Sequence, residues 1–292
     1  MFGRDTAGKS APYSRHGLGE KTVAKKVRDL MHRGLITCQP ETTLGQVAVL
    51  LARHHVHALV VVDRDARVLG VITDFDMLAG EWLSGNAQGL EAMRTMTAGE
   101  LMTTPVDSIE ADRPASEAAK RMREEVINRL IVTDQGKPVG VMSISDFVAS
   151  LVAFGGTLGR ERVTDVMSRA MLVCREDTPI ASVARGMTDA GYRSVLVVDP
   201  AGQPRGVVSG QDLLAFCREE GCGDVMARQA MHEALTIHPQ ATIQEAAKKM
   251  IEHHHHRLIV VDPDHPEAVP MGIVSSFDIV NMMAQPGSAW LR

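Results

Sequence analysis

Four short segments of the chain place a carboxylate three residues after a hydroxyl. Each segment runs from a glycine through two apolar residues to Ser or Thr, and the acid is always Asp. A hydroxyl at a strand end beside a helix N-terminus can donate to a phosphate, because free N–H groups and the helix dipole favour an anion there. An ionised Asp only accepts hydrogen bonds, so it can bind both hydroxyls of a ribose diol. The residues are Thr73 and Asp76, Ser143 and Asp146, Ser209 and Asp212, and Ser275 and Asp278.

The same spacing has a second interpretation that requires no ligand. Ser or Thr followed three residues later by an acid is also a capping box, in which the two side chains bond to free backbone N–H groups at the start of a helix. A capping box explains all four segments. The pattern therefore leaves a binding role and a purely structural role open.

Basic residues lie upstream of the segments, directly before another apolar run. Such cations could bind a phosphate, and arginine suits this role because its planar guanidinium engages two oxygens at once. The alternative is an exposed helix end, where a cation stabilises the negative end of the helix dipole. The residues are His57, Arg129, Arg193, His256 and Arg257.

Residues 3–10, GRDTAGKS, match the phosphate-loop pattern GxxxxGK[ST] of nucleotide-hydrolysing enzymes. A phosphate loop needs a buried strand before it and a helix after it. Only two residues precede this segment, and Pro12 follows it closely. We therefore expect no enzyme at this place.

Histidines and cysteines provide weaker signals. Histidines cluster at 54–57 and 253–256 and could bind a metal or gain charge together near pH ~6.5. A solvated helix end explains them better, so we predict no metal site. Cys217 and Cys222 lack a CxxC spacing, and we expect the cysteines to be reduced.

The hydroxyl–carboxylate segments and the basic residues before the apolar runs belong to one unit that is repeated four times. Each copy has a short helical tag that ends in Met, apolar residues at i, i+3, i+4 and i+7, and a β-branched run such as LVVV or LIVV. The first spacing predicts an amphipathic helix and the run predicts a buried strand. The order strand, helix, strand, strand, helix indicates an α+β fold. The tags end at Met31, Met102, Met167 and Met226, and the helical stripes begin at Leu44, Ala115, Ile180 and Ile243.

One copy buries only a modest core, so we expect the copies to pack in pairs. The Gly-rich residues 154–159, FGGTLG, mark the boundary between pairs. The expected organisation is a disordered tail 1–22, a first pair 23–153 with copies 25–83 and 96–153, a linker 154–160, a second pair 161–284 with copies 161–217 and 222–284, and a tail 285–292.

A βαββα unit of this length, paired and carrying G-h-h-[ST]-x-x-D, resembles the cystathionine β-synthase (CBS) domain. Two tandem CBS pairs, or Bateman modules, are similar in layout to the γ subunit of the AMP-activated protein kinase. The resemblance implies that the hydroxyl binds phosphate and the Asp binds ribose, so the expected ligand is AMP, ADP or ATP. S-adenosylmethionine, NAD and a cyclic dinucleotide stay open, because the Asp binds only the ribose.

The resemblance also ranks the copies. The γ subunit has an I-H-R-L stretch at the phosphates, which residues 127–130 (INRL) and 255–258 (HHRL) resemble, so copies two and four are expected to be the better phosphate sites. Copy one departs from the pattern because a second acid, Asp74, follows Thr73. Its negative charge would repel a polyphosphate, so copy one is expected to bind ATP least well. The Arg that often precedes the motif Asp is missing from every copy.

Composition excludes several classes of protein. A chain of 292 residues with 45% hydrophobic and 23% charged residues predicts a folded core. A net charge of -5 and 3% aromatic residues disfavour nucleic-acid binding. Because no apolar run approaches a membrane span or a secretory signal, we expect a cytoplasmic protein that does not contact membranes.

The expected function is regulatory. No nucleophile is tied by spacing to a base, so we expect neither catalysis nor a catalytic cofactor. Binding of an adenosine nucleotide between paired copies would shift the population of their arrangements. The output would pass through a regulated protein partner or through self-association, as a homodimer or a disc. The alternative is a CBS scaffold that binds no ligand and mediates only oligomerisation or partner assembly.

Overall fold

The computed structural model describes residues 25–78, 95–154, 160–219, 225–264, 269–286 and 288, which form four successive α+β repeats. In each repeat a short strand lies parallel to a second strand, which pairs antiparallel with a third. The predictions made for residues 1–22, for linker residues 155–159 and for Cys222 fall outside the described residues.

The first two repeats have the predicted order of elements. The first contains α1 (Val27–Leu30), β1 (His32–Arg33), β2 (Thr37–Cys38), α2 (Leu44–His54), β3 (Ala58–Val62), β4 (Val68–Thr73) and α3 (Asp74–Leu78). The second contains α4 (Ala98–Leu101), β5 (Ser108–Glu110), α5 (Ala115–Glu124), β6 (Arg129–Asp134), β7 (Lys137–Ser143) and α6 (Ile144–Phe154). The strand orders are β2-β3-β4 and β1-β7-β6-β5, so β1 joins the sheet of the second repeat.

The last two repeats follow the same order. The third contains α7 (Val163–Val166), β8 (Val173–Arg175), α8 (Ile180–Ala190), β9 (Ser194–Val198), β10 (Pro204–Ser209) and α9 (Gly210–Glu219). The fourth contains α10 (Ala227–Ala230), β11 (Thr236–Ile237), α11 (Ile243–Glu252), β12 (Arg257–Val260), β13 (Gly272–Ser275) and α12 (Ser276–Met283).

The fourth tag helix is later in the chain than the sequence predicts. It ends at Met231 instead of Met226. Met226 is instead the N-cap residue of α10 and forms a β-bridge with Pro179. Lys26 and Arg162 occupy the same position before α1 and α7 and form equivalent bridges. Two methionines five residues apart made the register of this tag ambiguous in the sequence.

The predicted amphipathic helices are confirmed. In α2 the side chains of Leu44, Val47, Ala48 and Leu51 are buried. The equivalent four positions are buried in α5, α8 and α11. Burying a large side chain such as Leu or Met stabilises the fold by about 1.5–3 kcal/mol, so these stripes drive the packing of the repeats.

Both faces of the central strands are buried, which explains their unbroken apolar runs. In β3, Leu59 and Val61 pack on the helix side, whereas Val60 and Val62 pack against Ile131 of the second repeat. The third and fourth repeats share the equivalent cluster, formed by Leu196, Val198, Val207 and Ile259. The sheets therefore join the repeats as first with second and third with fourth.

The helices join the repeats differently. One apolar core contains α2 and α3 of the first repeat together with α8 and α9 of the third. Another contains α5 and α6 of the second repeat together with α11 and α12 of the fourth. Each repeat therefore contacts two others through apolar clusters, and the four repeats close into a ring within one chain.

Each tag crosses to the sheet of its neighbour in the pair. The residue after the tag methionine bridges the last strand of the neighbouring repeat, in the pairs His32 with Val141, Thr103 with Val71, Ser168 with Ile273 and His232 with Val207. The glycine that opens each hydroxyl–carboxylate segment permits this close approach. A Cβ at Gly206 would lie 2.7 Å from the carbonyl oxygen of His232. None of the helices in the described ranges is both long and apolar enough to cross a bilayer.

Candidate functional site

The four hydroxyl–carboxylate pairs form hydrogen bonds with themselves. In the second repeat, Oδ2 of Asp146 accepts from the backbone N–H of Ser143 at 2.7 Å and from its hydroxyl at 2.9 Å. The other three pairs make the same two bonds. Because each pair satisfies itself at the start of a helix, its spacing alone does not require a ligand.

Strand register divides the five predicted basic residues between two positions of the repeat. Arg129 and Arg257 lie directly across from the hydroxyl residues Ser143 and Ser275 in the antiparallel strand pairs. The same position is Ala58 in the first repeat and Ser194 in the third, opposite Thr73 and Ser209. The residue before this position is His57, Asn128, Arg193 or His256.

The structure brings all five basic residues together where the four repeats meet. His57 and His256 face each other with their Nε2 atoms 3.2 Å apart. Nδ1 of His57 is 2.8 Å from Oδ2 of Asp74, and Nη1 of Arg129 donates to the carbonyl oxygen of His57 at 3.2 Å. We call this group the central cluster, and it consists of His57, Asp74, Arg129, Arg193, His256 and Arg257.

Arg193 connects the third repeat to the first and second. Its guanidinium carbon lies 4.9 Å from the centre of the Phe75 ring, a cation–π contact. With the Asn128 carboxamide oriented by this network, its oxygen accepts from Nε and Nη2 of Arg193, each at 2.9 Å. Asn128 was not among the predicted site residues, although its alignment with His57 and His256 could have identified it.

Burial dominates the electrostatics of the cluster. Together with the charge of Arg193, burial lowers the pKa of Arg129 to about 10, while the charges of Asp74 and Asp76 oppose the shift. Burial and Arg193 likewise lower the pKa of Arg257 to about 10. The pKa of His256 falls to about 4, mainly because of burial and then because of His57 and Arg257, so this imidazole is neutral at pH ~7.

Asp74 is the counter-charge of the cluster. Its side chain is buried, and burial by itself would raise its pKa. The hydrogen bond from His57 and the charges of His57, Arg129 and Arg193 outweigh burial, so the pKa of Asp74 is lowered. Asp74 thus acts on all three guanidinium groups, while Asp76 also acts on Arg129 and Asp278 also acts on Arg257.

The alternative that the basic residues are exposed helix ends is wrong. All five side chains are at least partly buried. Among the other clustered histidines, His54, His55, His253 and His254 are exposed, as a solvated helix end predicts. A group that the sequence analysis missed, His238, Asp262 and Asp264, places its ligand atoms within 4.8 Å of one another, but carboxylates near a surface commonly lie together without a metal.

These features define a class of protein. The CBS domain model matches residues 27–80, 98–153, 163–219 and 222–285, so the chain belongs to the CBS domain family, as its repeats predict. Its fold is similar over 88% of its length to protein MJ1225 from Methanocaldococcus jannaschii, described as a proposed archaeal homologue of g-AMPK, with 99% of that chain covered, a TM-score of 0.78 and 18% identity.

Two curated relatives align with this chain over only part of their own length. Uncharacterized protein MK0525 from Methanopyrus kandleri is 30% identical over 123 residues, which is 42% of this chain and 63% of that protein. Inosine-5'-monophosphate dehydrogenase from Mycobacterium bovis is 31% identical over 132 residues, 44% of this chain but 23% of the enzyme. The chain thus spans less than two thirds of the length of these relatives.

Proposed function

We propose that this chain is a regulatory protein that binds an adenosine nucleotide, AMP, ADP or ATP. The phosphates lie at the central cluster, and the ribose lies at one or more of the four hydroxyl–carboxylate pairs. The observation that carries the proposal is the convergence of basic side chains from all four repeats at one partly buried place. The hydroxyl–carboxylate pairs support it less, because capping boxes account for them.

A phosphate would give the guanidinium groups of the cluster further acceptors. A partly buried guanidinium is costly unless it is paired. The carboxylates that act on Arg129 and Arg257 already accept hydrogen bonds from His57, from the backbone N–H of Phe75 or from their own capping hydroxyls. Phosphate oxygens accept bidentate hydrogen bonds from arginine. Since Ser143 and Ser275 lie across from Arg129 and Arg257, one phosphate can meet a hydroxyl and a guanidinium together.

Ligand binding at this place is suited to signalling. The cluster joins all four repeats, so an anion there acts on the contacts of every repeat with its neighbours. A ligand that prefers one arrangement of the repeats shifts the population towards it. The change then passes to a regulated partner or to self-association, and the chain itself performs no catalysis.

Thermal melting in phosphate-free buffer tests the proposal, with AMP, ADP, ATP, S-adenosylmethionine, NAD and cyclic di-AMP as separate ligands. A ligand present at about 100 times its Kd stabilises the folded state by about 2.7 kcal/mol. We expect a rise in Tm with an adenosine nucleotide that is lost in Arg129→Gln and Arg257→Gln. Arg113→Gln is the matched control, since the Arg113 side chain is 57% exposed and pairs with Glu117.

The competing function is a scaffold that binds no nucleotide. It is favoured by the hydrogen bonds that each motif Asp already makes within its own capping box. A scaffold predicts no rise in Tm with any of these ligands, in the wild type or in the variants. That result would refute nucleotide sensing.

A further inference from the structure

Because the tags cross, one residue from the neighbouring repeat bridges the strand that leads to each motif carboxylate. The tag residue bridges the last strand two residues before the hydroxyl in every repeat, for example His32 at Val141 before Ser143. The same offset holds for Thr103 at Val71, Ser168 at Ile273 and His232 at Val207. Four equivalent positions are thus occupied by two histidines, one Thr and one Ser.

In the second repeat the histidine covers the carboxylate. Nδ1 of His32 lies 2.6 Å from Oδ1 of Asp146, while Oδ2 is already bonded to Ser143. Both oxygens of Asp146 are therefore engaged, and its side chain is only 3% exposed, although His32 itself is 79% exposed. A ribose diol could bind Asp146 only after His32 moves away.

In the third repeat a second histidine contacts the motif carboxylate through one oxygen, and the Asp212 side chain stays 26% exposed. Nδ1 of His232 is 3.0 Å from Oδ2 of Asp212, which also accepts from the N–H and hydroxyl of Ser209. The ring of His232 packs edge-on against His255 with a centroid distance of 4.7 Å, and Nδ1 of His255 bonds to the carbonyl oxygen of His253 at 2.8 Å. The imidazole is thus held in place from its other side.

The first and fourth repeats lack this cover. Ser168 directs its hydroxyl to the carbonyl oxygen of Ala170 at 3.2 Å instead of to Asp278. Thr103, beside the strand that leads to Asp76, has a side chain too short to replace an imidazole. Within the described residues, the only side-chain bonds to Asp76 and Asp278 come from their own capping partners.

We propose that His32 and His232 are specificity-determining residues that direct nucleotide binding to Asp76 and Asp278 by occupying Asp146 and Asp212. This inference rests on the proposed function, because it assigns the ribose to the motif carboxylates. A hydrogen bond to a charged group has to be broken before ribose binds at a covered carboxylate, which weakens binding there by about tenfold or more.

Calorimetric titration of the full chain with AMP tests the assignment. We expect Asp76→Ala and Asp278→Ala each to remove one class of bound AMP, whereas Asp146→Ala leaves the tight binding unchanged. His32→Thr, which introduces the residue found at the second tag, should add AMP binding that Asp146→Ala then abolishes. The reciprocal Thr103→His should weaken binding at Asp76 by about tenfold. His32 is mostly exposed, so its replacement should not unfold the protein.

The outcomes separate this inference from the proposed function. If AMP binds the wild type and Asp146→Ala or Asp212→Ala removes the tight binding, the assignment to Asp76 and Asp278 is overturned while nucleotide binding stands. An unchanged titration in both His32→Thr and Thr103→His also overturns it. If AMP binds neither the wild type nor any variant, the proposed function fails and the assignment falls with it.

Discussion

Asp74→Asn isolates the counter-charge of the central cluster, because it keeps the shape of the side chain and removes its charge. Asp74 is 6% exposed, and it accepts from His57 and from the backbone N–H of Phe75 at 2.9 Å. Removing one partner of a buried ion pair costs about 3–5 kcal/mol, because the other charge is left unpaired. The His57 side chain is 34% exposed, so water offsets part of the loss. We therefore expect a loss near the lower limit, about 3 kcal/mol.

Urea unfolding in phosphate-free buffer measures this loss. Asp112→Asn is the matched control, because Asp112 is also an acid between two cations, Lys26 and Arg28, but its side chain is 63% exposed. Exposed ion pairs contribute about 0–1 kcal/mol, so this control should change the free energy of unfolding little. Adding inorganic phosphate should restore part of the stability of Asp74→Asn, since the anion replaces the lost carboxylate. Potassium chloride at the same ionic strength should restore less.

Two results would refute this reasoning. If Asp74→Asn costs no more than Asp112→Asn, the charges of the cluster are not coupled in the folded protein. If Asp74→Asn is strongly destabilised but phosphate stabilises it no more than chloride does, the cluster is not an anion site, and the argument for nucleotide binding loses its main support.

Two further predictions test the electrostatics and the packing. The pKa of His256 is lowered to about 4 from its ordinary value of 6.5, so the unfolded chain binds more protons between these pH values and stability is lost as pH falls from 6.5 towards 4. The loss of unfolding free energy is at most about 3 kcal/mol, and it is reduced because the ring is partly exposed. Urea unfolding at both pH values should show a smaller loss for His256→Gln than for the wild type. Gly140→Ala places a Cβ against the carbonyl oxygen of His32 and should cost about 1–3 kcal/mol in urea unfolding. Gly45→Ala, whose Cβ meets no atom within 4 Å, should be neutral or stabilising by up to about 1 kcal/mol. If Gly140→Ala and Gly45→Ala change the free energy of unfolding equally, the tag does not cross at Gly140.

The sequence predicts what depends on local spacing. The stripe that begins at Leu44 repeats at Ala115, Ile180 and Ile243, and each copy buries the same four helix positions. Amphipathic periodicity and β-branched runs act within one copy, so they can be identified without knowledge of the fold. The α+β class follows from the same local patterns, whereas the family follows from the resemblance of the repeated unit and its motif to the CBS domain.

Contacts between copies could not be predicted in this way. From the sequence, Asp74 is expected to repel a polyphosphate in the first copy, because the sequence shows this acid only as the neighbour of Thr73. The structure places Asp74 among cations of other repeats, where Arg129 and Arg193 help to lower its pKa. The same limit applies to His32, whose partner Asp146 lies in the next repeat. Such pairs depend on which repeats meet, and local periodicity carries no information about that.

The contacts also change which repeats are chemically alike. Aligned as a sequence, the second and fourth copies form a class, because Arg129 and Arg257 occupy the same position. In the structure, the histidines His57 and His256 of the first and fourth repeats face each other, and Asn128 and Arg193 do so in the second and third. The ring looks the same when the first repeat is exchanged with the fourth and the second with the third. This exchange preserves the sheet and helix contacts and places the two histidine-covered carboxylates, Asp146 and Asp212, on each other.

The sequence alignment thus favours Asp146 and Asp278 as nucleotide sites, whereas the contacts favour Asp76 and Asp278. Because Asp278 is common to both, the comparison of Asp76→Ala with Asp146→Ala decides between a molecule organised by its sequence repeat and one organised by its contacts.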